Sequence, residues 1–95
     1  MYYFGLILSI ITVCYNAKED LAQTVDSVLS QTWRNFEYIV VDGNSTDGTK
    51  EYLEQLRPSF KEKNITLRYV SEKDEGIYDA MNKGTLMATG HWVMY

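Results

Sequence analysis

Apolar positions along this chain switch between two periods. Leu6 to Val13 is an almost unbroken aliphatic run, the pattern of a strand buried on both faces. Lys18 to Ser30 sets Leu21, Val25, Val28 and Leu29 on one face at helical spacing, with polar residues opposite. Phe36 to Val41 reads as a second strand. Ser45 or Thr46 is placed to cap a second helix carrying Tyr52, Leu53 and Leu56, which Pro58 is expected to close within a few residues. Ile65 to Val70 alternates Ile65, Leu67 and Tyr69 with Thr66 and Arg68, as a third strand would. Past the break at Gly76, a helical pattern of Ile77, Ala80, Met81, Gly84, Leu86, Met87 and Ala88 runs to Gly90, which is placed to end it. His91 to Tyr95 then opens a fourth apolar strand.

The order β-α-β-α-β-α-β, with connections long enough for right-handed crossovers, predicts an α/β fold. Its economical form is a Rossmann-like, doubly wound, mostly parallel sheet with strand order 3-2-1-4. The crevice between the first and fourth strands is then where a ligand belongs. Residues 1–95 make one small domain without repeats or linkers. A domain that stops on an inner strand of its own sheet reads as the N-terminal piece of a longer chain. The fourth strand and one sheet face would then be poorly covered, so self-association into homodimers through exposed edges is expected.

Composition narrows the partners. Apolar residues at 45% and charged residues at 23% belong to a globular chain. A net charge of -4 supplies no basic stripe for phosphates, which excludes a nucleic-acid surface. Cys14 is the single cysteine, so no intrachain disulfide forms; within its apolar run it reads as a buried structural thiol in a cytoplasmic protein. The first fourteen residues carry no Lys or Arg and are too short to span a bilayer, hence a strand rather than a signal or anchor. Asn44-Ser45-Thr46 and Asn64-Ile65-Thr66 match the glycosylation pattern by chance on this reading.

The richest stretch in chemistry is Val40-Val41-Asp42-Gly43-Asn44-Ser45-Thr46-Asp47-Gly48-Thr49. A β-branched run ends in a small polar turn that leads into a helix. At the carboxyl end of a parallel strand, such a carboxylate with hydroxyl and amide neighbours can grip a sugar or a base; in the plainer reading the turn only caps the helix. The first strand has no glycine fingerprint after it, neither G-x-G-x-x-G nor a P-loop, which disfavours dinucleotide oxidoreductases and P-loop enzymes. Tyr15 and Asn16 stand there instead, where a ring can stack on a base, although a turn before a helix needs no function. Ser71 to Gly76 is a charged loop that solvent alone would explain. Asp79, Asn82 and Lys83 interrupt an apolar helix, the pattern of an edge lining a polar cleft. His91, without a second histidine or a cysteine cluster, is structural; a zinc site and a His-based triad are rejected.

In register, these blocks resemble the N-terminal half of inverting family 2 glycosyltransferases of the GT-A fold. The matching runs are Ser9 to Asn16, Ser27 to Thr32, Tyr38 to Thr49, Ser71 to Gly84 and Ala88 to Val93. The resemblance implies a nucleotide-sugar donor, commonly a UDP-sugar, and transfer with inversion to a polysaccharide or lipid-linked acceptor in the synthesis of surface polysaccharide. By motif position, Tyr15 and Asp42 would meet the base and ribose, Asn44 and Ser45 would shape that pocket, and Asp74 would lie along the nucleotide. Asn82 and Lys83 would face the donor cleft, Lys83 offsetting diphosphate charge. The chain departs from the pattern at Gly43, where many relatives carry a second acidic residue. The family's metal-binding motif for Mg²⁺ or Mn²⁺ and its catalytic base are expected beyond Tyr95, so no metal is expected on residues 1–95, which alone would be inactive. Membrane attachment, at the inner face, would come through missing parts. Two rivals differ in class: a non-catalytic Rossmann-like binding or interaction module, and a flavodoxin-like receiver, which would want acidic residues where Val13 and Cys14 stand.

Overall fold

A computed structural model describes residues 8–31, 36–73, 75–88 and 92–94 of the chain. In order these form β1 (Leu8–Cys14), α1 (Lys18–Leu29), β2 (Phe36–Asp42), α2 (Thr49–Glu62), β3 (Thr66–Ser71), α3 (Ile77–Met87) and β4 (Trp92–Met94). All pairings are parallel and the sheet order is β3-β2-β1-β4. The chain therefore winds outward from β1 through β2 to β3, then returns to the other side of β1. Gly90 and His91 lie outside the described residues.

Alternation along β2 builds two cores. Phe36, Tyr38 and Val40 face one side, where they pack with Leu21, Val25 and Val28 of α1 and Leu53 and Phe60 of α2. Ile39 and Val41 face the other, against Ile11 of β1 and Ala80 of α3. Every residue of β2 is buried because both faces and both edges are covered, which is why its apolar residues do not alternate with solvent-facing polar ones and its two carboxylates, Glu37 and Asp42, are buried with them. Full burial of a side chain such as Leu53 contributes roughly 2 kcal/mol. Gly84 lets α3 lie close: a Cβ there would meet Ile11 Cγ2 at 2.5 Å and Val41 Cγ2 at 3.3 Å.

Three helix boundaries differ from the sequence expectation. The third helix, expected to run through Ala88 to Gly90, stops at Met87, with Ala88 already extended at φ -67 and ψ 134. Pro58 does not close α2, which continues to Glu62 with the proline inside it. Pro58 is exposed, so the carbonyl that loses its N–H partner can turn to water. Beyond it, the last turn is held by Phe60, buried and stacked on Tyr38 with centroids 5.8 Å apart. The actual stop is Asn64 in a left-handed conformation, φ 60. Its N–H donates to Lys61 O at 3.0 Å, the Ile65 N–H donates to Phe60 O at 3.0 Å, and Ile65 joins Phe60 in the core. At the other end, neither Ser45 nor Thr46 caps α2. The residue before it is Gly48, whose φ of 89 carries the backbone into the helix, and both side chains serve the loop described next.

Candidate functional site

One rung of the sheet crosses three strand ends: Cys14 of β1 lies beside Asp42 of β2, and Asp42 beside Ser71 of β3. Side chains on one rung point to the same face, so a thiol and a hydroxyl flank a carboxylate. Asp42 Oδ1 accepts the Ser45 hydroxyl in a short hydrogen bond and the Cys14 thiol at 3.5 Å. Its Oδ2 accepts the Ser45 N–H at 3.0 Å and the Ser71 hydroxyl at 2.8 Å. Asp42 is 0% exposed, and a charge can be buried there because donors surround it. The ladders run one residue further, with Gly43 N–H donating to Cys14 O at 2.9 Å and Glu72 N–H to Asp42 O at 3.0 Å. Burial first, then the neighbouring Asp42 charge, pushes the half-buried Cys14 thiol up to about 12, so at neutral pH it is a hydrogen-bond donor and not a nucleophile.

Above this rung, the β1–α1 and β2–α2 loops are clasped together. Asn16 N–H donates to Ser45 Oγ at 2.7 Å, and Asn16 Oδ1 accepts the Thr46 N–H at 2.8 Å. Asn16 and Asn44 both hold left-handed backbones, φ 49 and 67, which asparagine adopts more readily than most residues. Asp47 completes the clasp. It accepts the Lys18 N–H at 3.0 Å at the start of α1, and the Thr49 N–H and hydroxyl at the start of α2. These bonds, those to Thr49 first, hold its carboxyl below the usual range.

What remains open to solvent is Tyr15, 63% exposed at the carboxyl end of β1, with exposed Asn44 across the clasp. Beside it an open recess of about 510 Å³ is lined by Asn16, Ala17, Lys18, Glu19, Asp20 and Asp47. Three carboxylates against one ammonium make that recess unsuited to a phosphate, and the Asp47 carboxylate already takes the helix N–H groups an anion would use.

The α3 residues lie elsewhere. Asp79 accepts the Glu75 N–H at 2.8 Å and stands 3.6 Å from Lys83 Nζ. Lys83 also reaches Glu72 at 3.2 Å and donates to Lys73 O at 2.9 Å, so it braces the β3–α3 connection. Asn82 is exposed on the outward stripe that carries Tyr78 and Leu86, both more than 80% exposed. The structure thus gathers Tyr15, Asp42, Asn44 and Ser45 at one lip, while Lys83 is bonded to the β3–α3 connection and Asn82 stands on an outward face. Asp74 lies outside the described residues. Among the described residues, no group of three or more His, Cys, Asp or Glu could hold a metal ion. None of their helices is long and apolar enough to cross a membrane.

Sequence reasoning passed over a second polar cluster. Glu37, 4% exposed, accepts the Ser9 hydroxyl at 2.7 Å and pairs with Arg68 at 3.4 Å; Arg68 also donates to Met87 O at the end of α3. The signal was available in strand parity, since Ser9, Glu37 and Arg68 interrupt three apolar strands on one sheet face.

A model of the family described as Glycosyl transferase family 2 matches residues 9–95. A PGL/p-HBAD biosynthesis glycosyltransferase of Mycobacterium bovis is 39% identical over 87 residues, which is 92% of this chain and 33% of that one. Among solved structures, the mannosyltransferase PcManGT from Pyrobaculum calidifontis, in complex with GDP-Man and Mn²⁺, superposes with a TM-score of 0.80 at 27% identity, covering 90% of this chain and 25% of that one. TarS of S. aureus in complex with UDP-GlcNAc superposes with a TM-score of 0.76 at 26% identity, covering 93% and 25%. The chain spans about a third of the length of the curated relatives it matches.

Proposed function

The chain belongs to glycosyltransferase family 2, and from that premise we propose that residues 1–95 form the nucleotide-sugar-binding part of a GT-A glycosyltransferase. The reaction proposed for the whole protein is inverting transfer from a UDP-linked donor to a polysaccharide or lipid-linked acceptor. The acceptor hydroxyl oxygen bonds to the anomeric carbon as the bond from that carbon to the diphosphate oxygen breaks; its proton passes to a general base from outside residues 1–95, and UDP leaves with the electron pair.

The observation that carries this reading is the placement of Tyr15. It is an exposed ring at the carboxyl end of β1, the strand where the winding order reverses, and it rests on a buried polar frame. An aromatic face there suits stacking on a base. Asn44 and Ser45 shape the rim. Asp42, enclosed as it is, acts on the nucleotide through the loop it fixes rather than by direct contact. Asp74, Asn82 and Lys83 are assigned to the donor's path on motif position; Lys83 brings little net charge to a diphosphate while Glu72 and Asp79 hold it. A divalent cation, Mg²⁺ or Mn²⁺, would supply charge to the leaving diphosphate from ligands beyond the described residues, which hold no suitable cluster. The two solved neighbours carry different bases, GDP-Man and UDP-GlcNAc, so base preference is the point to test.

Calorimetric titration of the chain with UDP, GDP and ADP, each with and without Mn²⁺, makes that test. UDP-selective binding that ignores the metal is the expected result. Binding that prefers GDP would overturn the donor assignment, and no binding to any nucleotide would overturn the site.

A further inference from the structure

Tyr15 owes its position to its two neighbours in the chain, and both are anchored. On one side, Cys14 donates its thiol to Asp42 and accepts the Gly43 N–H at its carbonyl. On the other, Asn16 gives its N–H to Ser45 and takes the Thr46 N–H on its side-chain oxygen. The two anchors share a partner, because the Ser45 oxygen that accepts from Asn16 itself donates to Asp42. A continuous path therefore runs from Asn16 through Ser45 to the buried carboxylate and back through Cys14, enclosing the backbone of Tyr15. Only the ring's own side-chain rotations are left free. Asparagine meets both demands at position 16, a left-handed backbone and a short-reach acceptor, where alanine would meet neither.

We propose that Asn16 is a positioning residue for nucleotide binding, acting through Tyr15: its clasp on Ser45 and Thr46 holds the stacking ring where a base arrives. The inference rests on the nucleotide reading given above. Its physical content is preorganisation: with the backbone held on both sides of Tyr15, only the ring's side-chain rotations remain to be lost when the ligand binds. Asn16 itself need not touch the ligand.

A double-mutant cycle on the intact 95-residue chain separates this role from a general effect on folding. UDP affinity is measured for the unaltered chain, Asn16→Gly, Tyr15→Ala and the double variant, with Asn16→Asp as the conservative rescue. Glycine keeps the left-handed backbone and deletes only the acceptor, so the fold is retained; thermal melting checks this. Asn16→Gly is expected to weaken UDP binding about tenfold with Tyr15 present, the effect of one lost hydrogen bond. In the Tyr15→Ala background the same change is expected to cost less than about twofold, because coupled positions are not additive. Asn16→Asp, which keeps an acceptor, is expected to stay within about threefold of the unaltered chain. Equal losses in the two backgrounds, or no loss from Asn16→Gly, would overturn the role of Asn16 alone. An unaltered chain that binds no nucleotide would overturn the site reading on which it rests.

Discussion

Lys18, the first residue of α1, and Asp47, in the loop before α2, share a hydrogen bond of 3.0 Å from backbone N–H to Oδ2. The other oxygen of Asp47 serves Thr49, so one carboxylate caps α1 and α2 together, and neither helix has a side-chain cap from its own N-cap residue. Asp47→Ala is expected to lower the melting temperature by about 5 °C, the effect of losing a cap in a domain of this size. The pH dependence follows from its lowered pKa. A carboxyl that ionises more readily when folded stabilises the fold above its ordinary value of 3.8, and that stabilisation is lost as pH falls through the folded value. The gap between the unaltered chain and Asp47→Asn in thermal melts is thus expected to close in acid.

The alkaline side has the opposite sign. Cys14 rises from 9.0 to about 12 and Tyr38 from 10.0 to about 12, both chiefly by burial. Each holds its proton more tightly when folded, so its contribution is whole below the unfolded value and disappears as pH rises toward 12. Urea midpoints are expected to decline from near pH 9 upward. Cys14→Ala should remove the early part of that decline and leave the part that begins near pH 10, where Tyr38 titrates.

Arg68 is the cation over a buried carboxylate. Replacing it with Met keeps the stem but leaves Glu37 buried beside a chain end of α3 that has lost its donor. Arg68 is itself partly exposed, which moderates the loss; Arg68→Met is expected to cost about 2 kcal/mol in urea unfolding. Arg68→Met combined with Glu37→Gln should recover part of it, because the stranded charge is gone.

Gly84 is a packing position on α3. The Cβ of Gly84→Ala would press on Ile11 and Val41, two side chains held in the core and unable to swing aside. Overpacking of this kind costs about 1–3 kcal/mol. A stabilised Gly84→Ala, as a purely helix-propensity view would have it, would show that α3 does not seat where described.

The sequence made the element order legible because the two periods are distinct: Phe36 to Val41, apolar on both faces but for Glu37, cannot be a surface helix, and Leu21, Val25 and Val28 cannot share a face of a strand. It misled where a local rule competes with packing. Pro58 ends a helix by rule, but Phe60 beyond it has a buried ring to stack on, and the stop moves to Asn64. At the lip, composition marked Asp42, Asn44 and Ser45 correctly as neighbours, yet gave no means of seeing that Ser45 would turn back to Asp42 and Asn16 instead of capping α2. The Glu37–Arg68 pair was hidden for a related reason. Charges 31 positions apart become partners only through strand register.

Tyr15 stands between two tethered neighbours and is itself mostly in solvent, so its side chain contributes little to the cohesion of the domain. Cohesion and an exposed aromatic face are thereby divided among different residues within a span of three. The exposed ring can therefore be exchanged without loosening the frame beneath it, whereas a change at Cys14 or Asn16 loosens the frame itself.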